Sequence, residues 1–176
     1  MPIYIALLRG INVGGNVLKM ERLRALCEEL DMRNVRTYIQ SGNVVFEAAG
    51  PTRQWIVSLQ KKLAGETRLP VSVLLRTARE MAIVLAGNPF LKEKGVDTKR
   101  LAVTFLNEPP SKSGLEALHK LKDSTERFHC VGKEIYLDCP NGFGDSKLYL
   151  PDQALSQRTT TRNWNTVKRL CEMSAP

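Results

Sequence analysis

Histidine is nearly missing from this chain, with His119 and His129 the only two. A histidine-rich metal site is thereby excluded. No Ser/His/Asp set is evident either, since one imidazole falls mid-helix and the other on a predicted strand, distant in sequence from any nucleophile turn. Cysteine is sparse and badly spaced for chemistry. Cys27, Cys130, Cys139 and Cys171 form no Cys-x-x-Cys pair. With Gly132-Lys133 as a two-residue turn, Cys130 lies opposite Ile135 and roughly 13 Å along the ladder from Cys139, beyond disulfide reach. Reduced structural thiols are the expectation. No apolar run approaches the roughly 20 residues that cross a bilayer. The short apolar start has no basic segment before it and a glycine loop after it, unlike a signal peptide. The expected compartment is the cytoplasm, with no membrane partner, and nothing implies a cofactor or a metal.

Basic residues are in excess but unclustered. The formal charge is +8, with surpluses of +2 over residues 1–46, +4 over 47–139 and +2 over 140–176, and no basic run exceeds two residues. A solvated basic surface explains this distribution. A nucleic-acid patch would need distant charges to converge in the fold.

The most informative segment is Ile3 to Gly15, an apolar run breaking into a glycine-rich loop ahead of an amphipathic helix. Unpaired N–H groups at such a junction attract anions. Gly10 and Gly15 have P-loop spacing, but Asn16 and Val17 stand where the lysine and hydroxyl belong, and the dinucleotide glycine pattern fails too. The segment offers a site without naming its ligand.

Periodicity then lays out the chain. A strand over residues 2–8, apolar throughout, is predicted to be central in its sheet. A helix over 19–31 carries Met20, Leu23, Leu26, Cys27 and Leu30 on one stripe. A hairpin runs from Val35 to Ala48 about Gln40-Ser41-Gly42-Asn43. A second helix buries Trp55, Ile56, Leu59 and Leu63, and a strand follows over Val71–Leu75. This is the β-α-β-β-α-β order of a ferredoxin-like sheet. Thr77-Ala78-Arg79-Glu80 is a capping box opening a short helix to Ala86. After a loop over 87–100 the plan recurs. A strand spans Leu101–Leu106, a helix is capped by Ser113, and a hairpin turns at Gly132-Lys133. Asp145 is the predicted cap of another short helix limited by Pro151. No clear final strand is predicted for this half. Thr160 or Thr161 is predicted to cap a terminal helix, with Trp164 as its anchor and Arg162 in a first turn whose dipole it opposes. The expected architecture is α+β: a ferredoxin-like subdomain over residues 1–86, a linker over 87–100, and a second such subdomain with a C-terminal helix over 101–176.

Several strings together resemble one family: Tyr4 to Gly15, Lys19-Met20, Val35 to Phe46, Asn88-Pro89-Phe90, Glu134 to Leu137, Ser146-Lys147-Leu148 and Thr161 to Thr166. They look like the bacterial domain of unknown function 1697 family. The resemblance implies a small cytoplasmic protein and carries no reaction with it.

Polar residues at strand ends and helix starts point to binding of a phosphate-bearing ligand, a nucleotide or a nucleic-acid backbone. The candidate contacts are Arg9, Asn12, Gly14, Gly15, Lys19, Gln40, Ser41, Asn43, Lys147, Arg162 and Asn163. One expectation counts against a single site: the loop after the first strand and the turn between the second and third are placed at opposite ends of their strands. RNA recognition on the sheet face would stack bases on Tyr4 and Phe46, but the basic-glycine-aromatic opening of that module is missing. Two further classes stay open. One is a nucleotide-dependent enzyme such as a transferase, although adjacent Ser146 and Lys147 do not face each other on a helix. The other is an interaction module that dimerises through exposed sheet edges.

Overall fold

The computed structural model describes residues 1–13, 17–50, 52–149 and 151–175. The chain divides into two units, Met1–Ala82 together with the segment from Leu170 onward, and Ile83–Arg169.

The first unit contains β1 (Ile3–Arg9), α1 (Met20–Glu28), β2 (Arg33–Tyr38), β3 (Asn43–Glu47), α2 (Thr52–Thr67) and β4 (Ser72–Thr77), and α3 (Ala78–Ala86) begins in it. Its antiparallel sheet has the order β2-β3-β1-β4. β1 is central, as its unbroken apolar run predicts, and Ile5, Ala6, Leu7 and Leu8 are all fully buried. The core joins Ala6, Leu8, Val44, Phe46 and Val73 of the sheet to Leu23, Leu26 and Cys27 of α1 and Leu59 and Leu63 of α2. Each leucine, valine or phenylalanine among them removed from water is worth about 1.5–3 kcal/mol. Burial pushes the Cys27 thiol up to about 12, so it is inert at neutral pH. Tyr4 and Phe46 stack with centroids 5.8 Å apart, and Trp55 of α2 meets Tyr4 edge-on at 5.4 Å. These aromatics therefore serve the core beneath α2, which removes the sheet-face RNA reading.

The second unit repeats the order with β5 (Leu101–Phe105), α4 (Lys112–Leu121), β6 (Arg127–Val131), β7 (Glu134–Asp138), α5 (Asp152–Leu155), β8 (Thr160–Asn163) and the start of α6 (Trp164–Met173). Its sheet order is β6-β7-β5-β8. β8 is the final strand that the sequence reading lacks. Thr160, Thr161, Arg162 and Asn163 pair with Phe105, Thr104, Val103 and Ala102. A run of β-branched threonines suits a strand better than a helix cap. The capping residue of α6 is Asn163, whose Oδ1 accepts the Thr166 N–H at 2.8 Å. The cap of α4 is Ser111, not Ser113, accepting from the Gly114 N–H at 3.1 Å. The short helix near Pro151 starts after it rather than at Asp145, since a proline is tolerated at a helix start and blocks one from continuing through it.

Residues 87–100 hold two 3-10 turns, Pro89–Lys92 and Thr98–Arg100. Charge fastens them to the second sheet. Asp138 is fully buried; its Oδ1 lies 2.6 Å from Arg100 Nε and its Oδ2 2.6 Å from Arg127 Nη2. Arg127 also donates twice to Glu93 at 2.9 Å and lies 4.9 Å over the Phe90 ring.

Candidate functional site

One end of the first sheet gathers most of the candidate residues. β1 runs antiparallel to β3, with Leu7 opposite Asn43. The end of β1 and the start of β3 are therefore the same end of the sheet. This corrects the expectation of opposite ends: a crossover helix returns β2 parallel to β1, so the following turn lies beside the loop that leaves β1. The Leu8 N–H donates to Gly42 O at 2.8 Å. β4 is also antiparallel to β1, with Arg9 opposite Ser72, so its start reaches this end too.

Asn12 clasps the loops together. Its backbone is left-handed, with φ at 53°, a conformation that asparagine tolerates better than most residues. Its Nδ2 donates to Gln40 O and its Oδ1 accepts from the Leu18 N–H, both at 2.6 Å. Asn43 is fully buried and donates to Tyr38 O at 2.9 Å and Ser41 Oγ at 3.1 Å. Two of the candidate residues thus hold the turn's shape. Gly10 and Gly42 have φ of +90° and +82°, and a Cβ would meet Pro70 O at 2.6 Å in the first case and Ile11 Cδ1 at 2.5 Å in the second. Gly14 and Gly15 lie outside the described residues.

Beside this clasp opens a cleft of about 320 Å³ lined by Val17, Leu18, Lys19, Arg22, Glu66 and Thr67. Lys19 is exposed and stands at the N-cap of α1, where it makes no side-chain capping bond. The first backbone N–H groups of a helix have no partner within it, and the dipole favours an anion there. Glu21 is the internal counter-charge, its carboxyl held below the ordinary value by its own backbone N–H. Arg22 is bonded to Glu66 and, at 3.0 Å, to Glu29. The cleft therefore carries one exposed lysine, Lys19, and the Arg22–Glu66 ion pair. Gln40 and Ser41 are exposed in the β2–β3 turn, and Arg9 is half-buried at the end of β1.

The other three candidates belong to the second unit. Lys147 is exposed. Arg162 is not in a helical turn; it lies on β8, 8% exposed, donating to Thr161 O at 2.9 Å. Burial pushes its guanidinium down to about 10. Asn163 is occupied as a cap. Ser146 Oγ accepts from the Leu148 N–H at 3.2 Å and lies 3.7 Å from Cys139 Sγ. No cluster of three metal-ligating side chains exists among the described residues, and none of their helices is long and apolar enough to cross a membrane.

Residues 1–136 match the family model described as Protein of unknown function (DUF1697). Among solved structures, a conserved bacterial protein from Streptococcus pneumoniae is similar at 24% identity, with a TM-score of 0.75 and 99% of each chain covered. That likeness shows the fold. No curated protein matches the chain.

Proposed function

The chain belongs to the DUF1697 family of proteins of unknown function, and from that premise we propose that the cleft at the start of α1 binds a small phosphate-bearing ligand. The observation that supports this most is the cleft itself, which Lys19 lines beside the α1 N-terminus. A phosphate there meets a lysine ammonium together with the first-turn N–H groups that the Glu21 carboxyl does not take. Lys19 is the principal contact in this reading.

Glu66 is already paired with Arg22, which lines the same cleft, so size rather than charge separates the ligand types. At about 320 Å³ the volume stands near the lower end of ligand cavities, about 300–1,000 Å³. That volume favours a small ester over a polymer.

The test is fluorescence titration with a labelled nucleotide and with a short oligonucleotide at low and moderate salt. Nucleotide binding is expected to fall by roughly tenfold or more in Lys19→Gln, the loss of one charge-assisted contact of about 1.5–3 kcal/mol. Binding that Lys19→Gln leaves unchanged would falsify the reading. Oligonucleotide binding stronger than nucleotide binding would also count against it.

A further inference from the structure

An edge strand presents unpaired N–H and C=O groups with which another chain can pair, and proteins guard such edges with charge, proline or a bulge. β2 and β6 are the hairpin strands at the edges of the two sheets, and they differ in this respect. β2 is guarded. Its register against β3 shifts between Arg33 and Arg36, Asn34 is left-handed with φ at 50°, and Arg33 and Arg36 are exposed. β6 has no such device. It pairs with β7 without a break from Arg127–Asp138 to Val131–Glu134, contains neither proline nor lysine, and its one arginine is already held by Glu93 and Asp138. Gly132, with φ at 61°, and Lys133 form the two-residue turn, which makes Val131 and Glu134 a hydrogen-bonded pair. Bonded and non-bonded pairs alternate along an antiparallel ladder, so Arg127, His129 and Val131 turn their backbone groups to β7. Phe128 and Cys130 turn theirs outward.

From this edge we infer that β6 is the docking surface for a second copy of the chain, paired antiparallel about a two-fold axis at His129. Hydrogen bonding picks the register. All the outward groups are bonded only when Phe128 of each copy lies opposite Cys130 of the other, which gives four bonds between the chains. Any other register bonds at most one of these residues to its like. The side chains agree with this placement. Phe128 and Cys130, both half-buried, meet on one face, and Arg127 meets the 49% exposed Val131 on the other. With its guanidinium held at Glu93 and Asp138, Arg127 has its methylene stem to lay against that valine. Continuing the register brings Lys133 of one copy opposite Thr125 of the other. The Thr125 N–H and hydroxyl both hold the exposed Asp123 carboxylate, at 2.8 and 2.9 Å. Two copies of a chain charged +8 repel, and these end contacts set cation against anion twice where the copies come closest. A strand, a set of side chains and end charges that all match themselves under a two-fold axis select a second copy over a foreign extended peptide.

The experiment is size exclusion with light scattering on the full chain over a concentration series, joined to cross-linking. One paired strand of five residues makes an interface at the small, weak end of the range, so a dissociation constant of roughly 10–100 µM is expected. His129→Cys places two thiols directly opposite across the axis, in a non-bonded pair with Cα atoms about 4.5 Å apart, within disulfide reach. Mild oxidation should link this variant into dimers at least tenfold faster than wild type, whose Cys130 thiols are offset by two residues. Cys130→Pro removes an outward donor and spares the ladder to β7, a change that edge strands tolerate. It should fold and stay monomeric where wild type is half dimeric. The cross-link leaves the backbone untouched, so it decides the matter if the proline variant does not fold. A wild type still monomeric at about 1 mM would overturn the inference. So would a dimer that His129→Cys fails to cross-link, or one that a folded Cys130→Pro leaves intact, since either uses another surface.

Discussion

Ile39 and Gly42 both adopt positive φ within one tight turn, and the chain treats them oppositely. At Gly42 the backbone must pass close to Ile11 and Leu8, a Cβ meeting them at 2.5 and 2.8 Å, so only glycine fits. At Ile39 it tolerates a costly side chain. Gly42→Ala should therefore lose about 2 kcal/mol by forced φ and overlap combined, read as a lower urea midpoint with unchanged slope. A midpoint equal to wild type would show that the turn yields easily. The sequence displayed these glycines but not their purpose. The Gly-rich loop looked like a phosphate cradle, and Gly10 proves to be a packing glycine over Pro70. Asn12 and Asn43 looked like ligand contacts because their side chains are polar. Only the folded registry shows that backbone partners already occupy them.

Helix ends and strand directions account for what was legible among the elements. The Thr77–Glu80 box forms as its spacing predicts, Glu80 accepting from the Thr77 N–H at 2.7 Å and Thr77 Oγ1 from the Glu80 N–H at 3.1 Å. Local chemistry of this kind is complete within four residues. β8 was not legible as a strand, because Thr160 and Thr161 suit caps and strands alike, and pairing with β5 settles the choice from 57 residues away. Between α1 and α2 the structure adds an ion-pair network invisible to the sequence. Lys62 bonds Glu29 at 2.6 Å, and Arg22 joins Glu29 to Glu66. Lys62 chiefly, with Arg22, holds the Glu29 carboxyl below its ordinary 4.5, and Arg22 does the same to Glu66. Carboxyls with depressed folded values lend stability above the ordinary value and lose it as pH falls through the folded one. The melting temperature should accordingly drop as pH falls below the ordinary 4.5 and through the lowered folded values. The pairs are solvent-screened, so added salt should flatten that drop. A melting temperature constant across the range would show that the network contributes nothing.

At the scale of the molecule, the same seven-element order occurs twice, and the correspondence extends to single residues. Arg76 precedes the capping Thr77 on the last strand of the first sheet, and Arg162 precedes the capping Asn163 on that of the second. Each arginine is buried, and each donates to the carbonyl of the residue before it at 2.9 Å. The sequence shows the recurrent order of strands and helices. It hides this residue-level match, because Leu75-Arg76-Thr77 and Thr161-Arg162-Asn163 share only the arginine. The cleft carries one exposed lysine beside the Arg22–Glu66 ion pair. What the linear order could not convey was the meeting of the β1 loop with the β2–β3 turn. That follows from strand direction alone, and on it the proposed site depends.

The most direct measurement is a backbone amide NMR titration of the full chain with AMP. The account predicts the largest shifts at Leu18 to Arg22 and at Glu66 and Thr67, the residues around the cleft, all diminished in Lys19→Gln. Shifts confined to residues of the second unit, or none at saturating AMP, would contradict it.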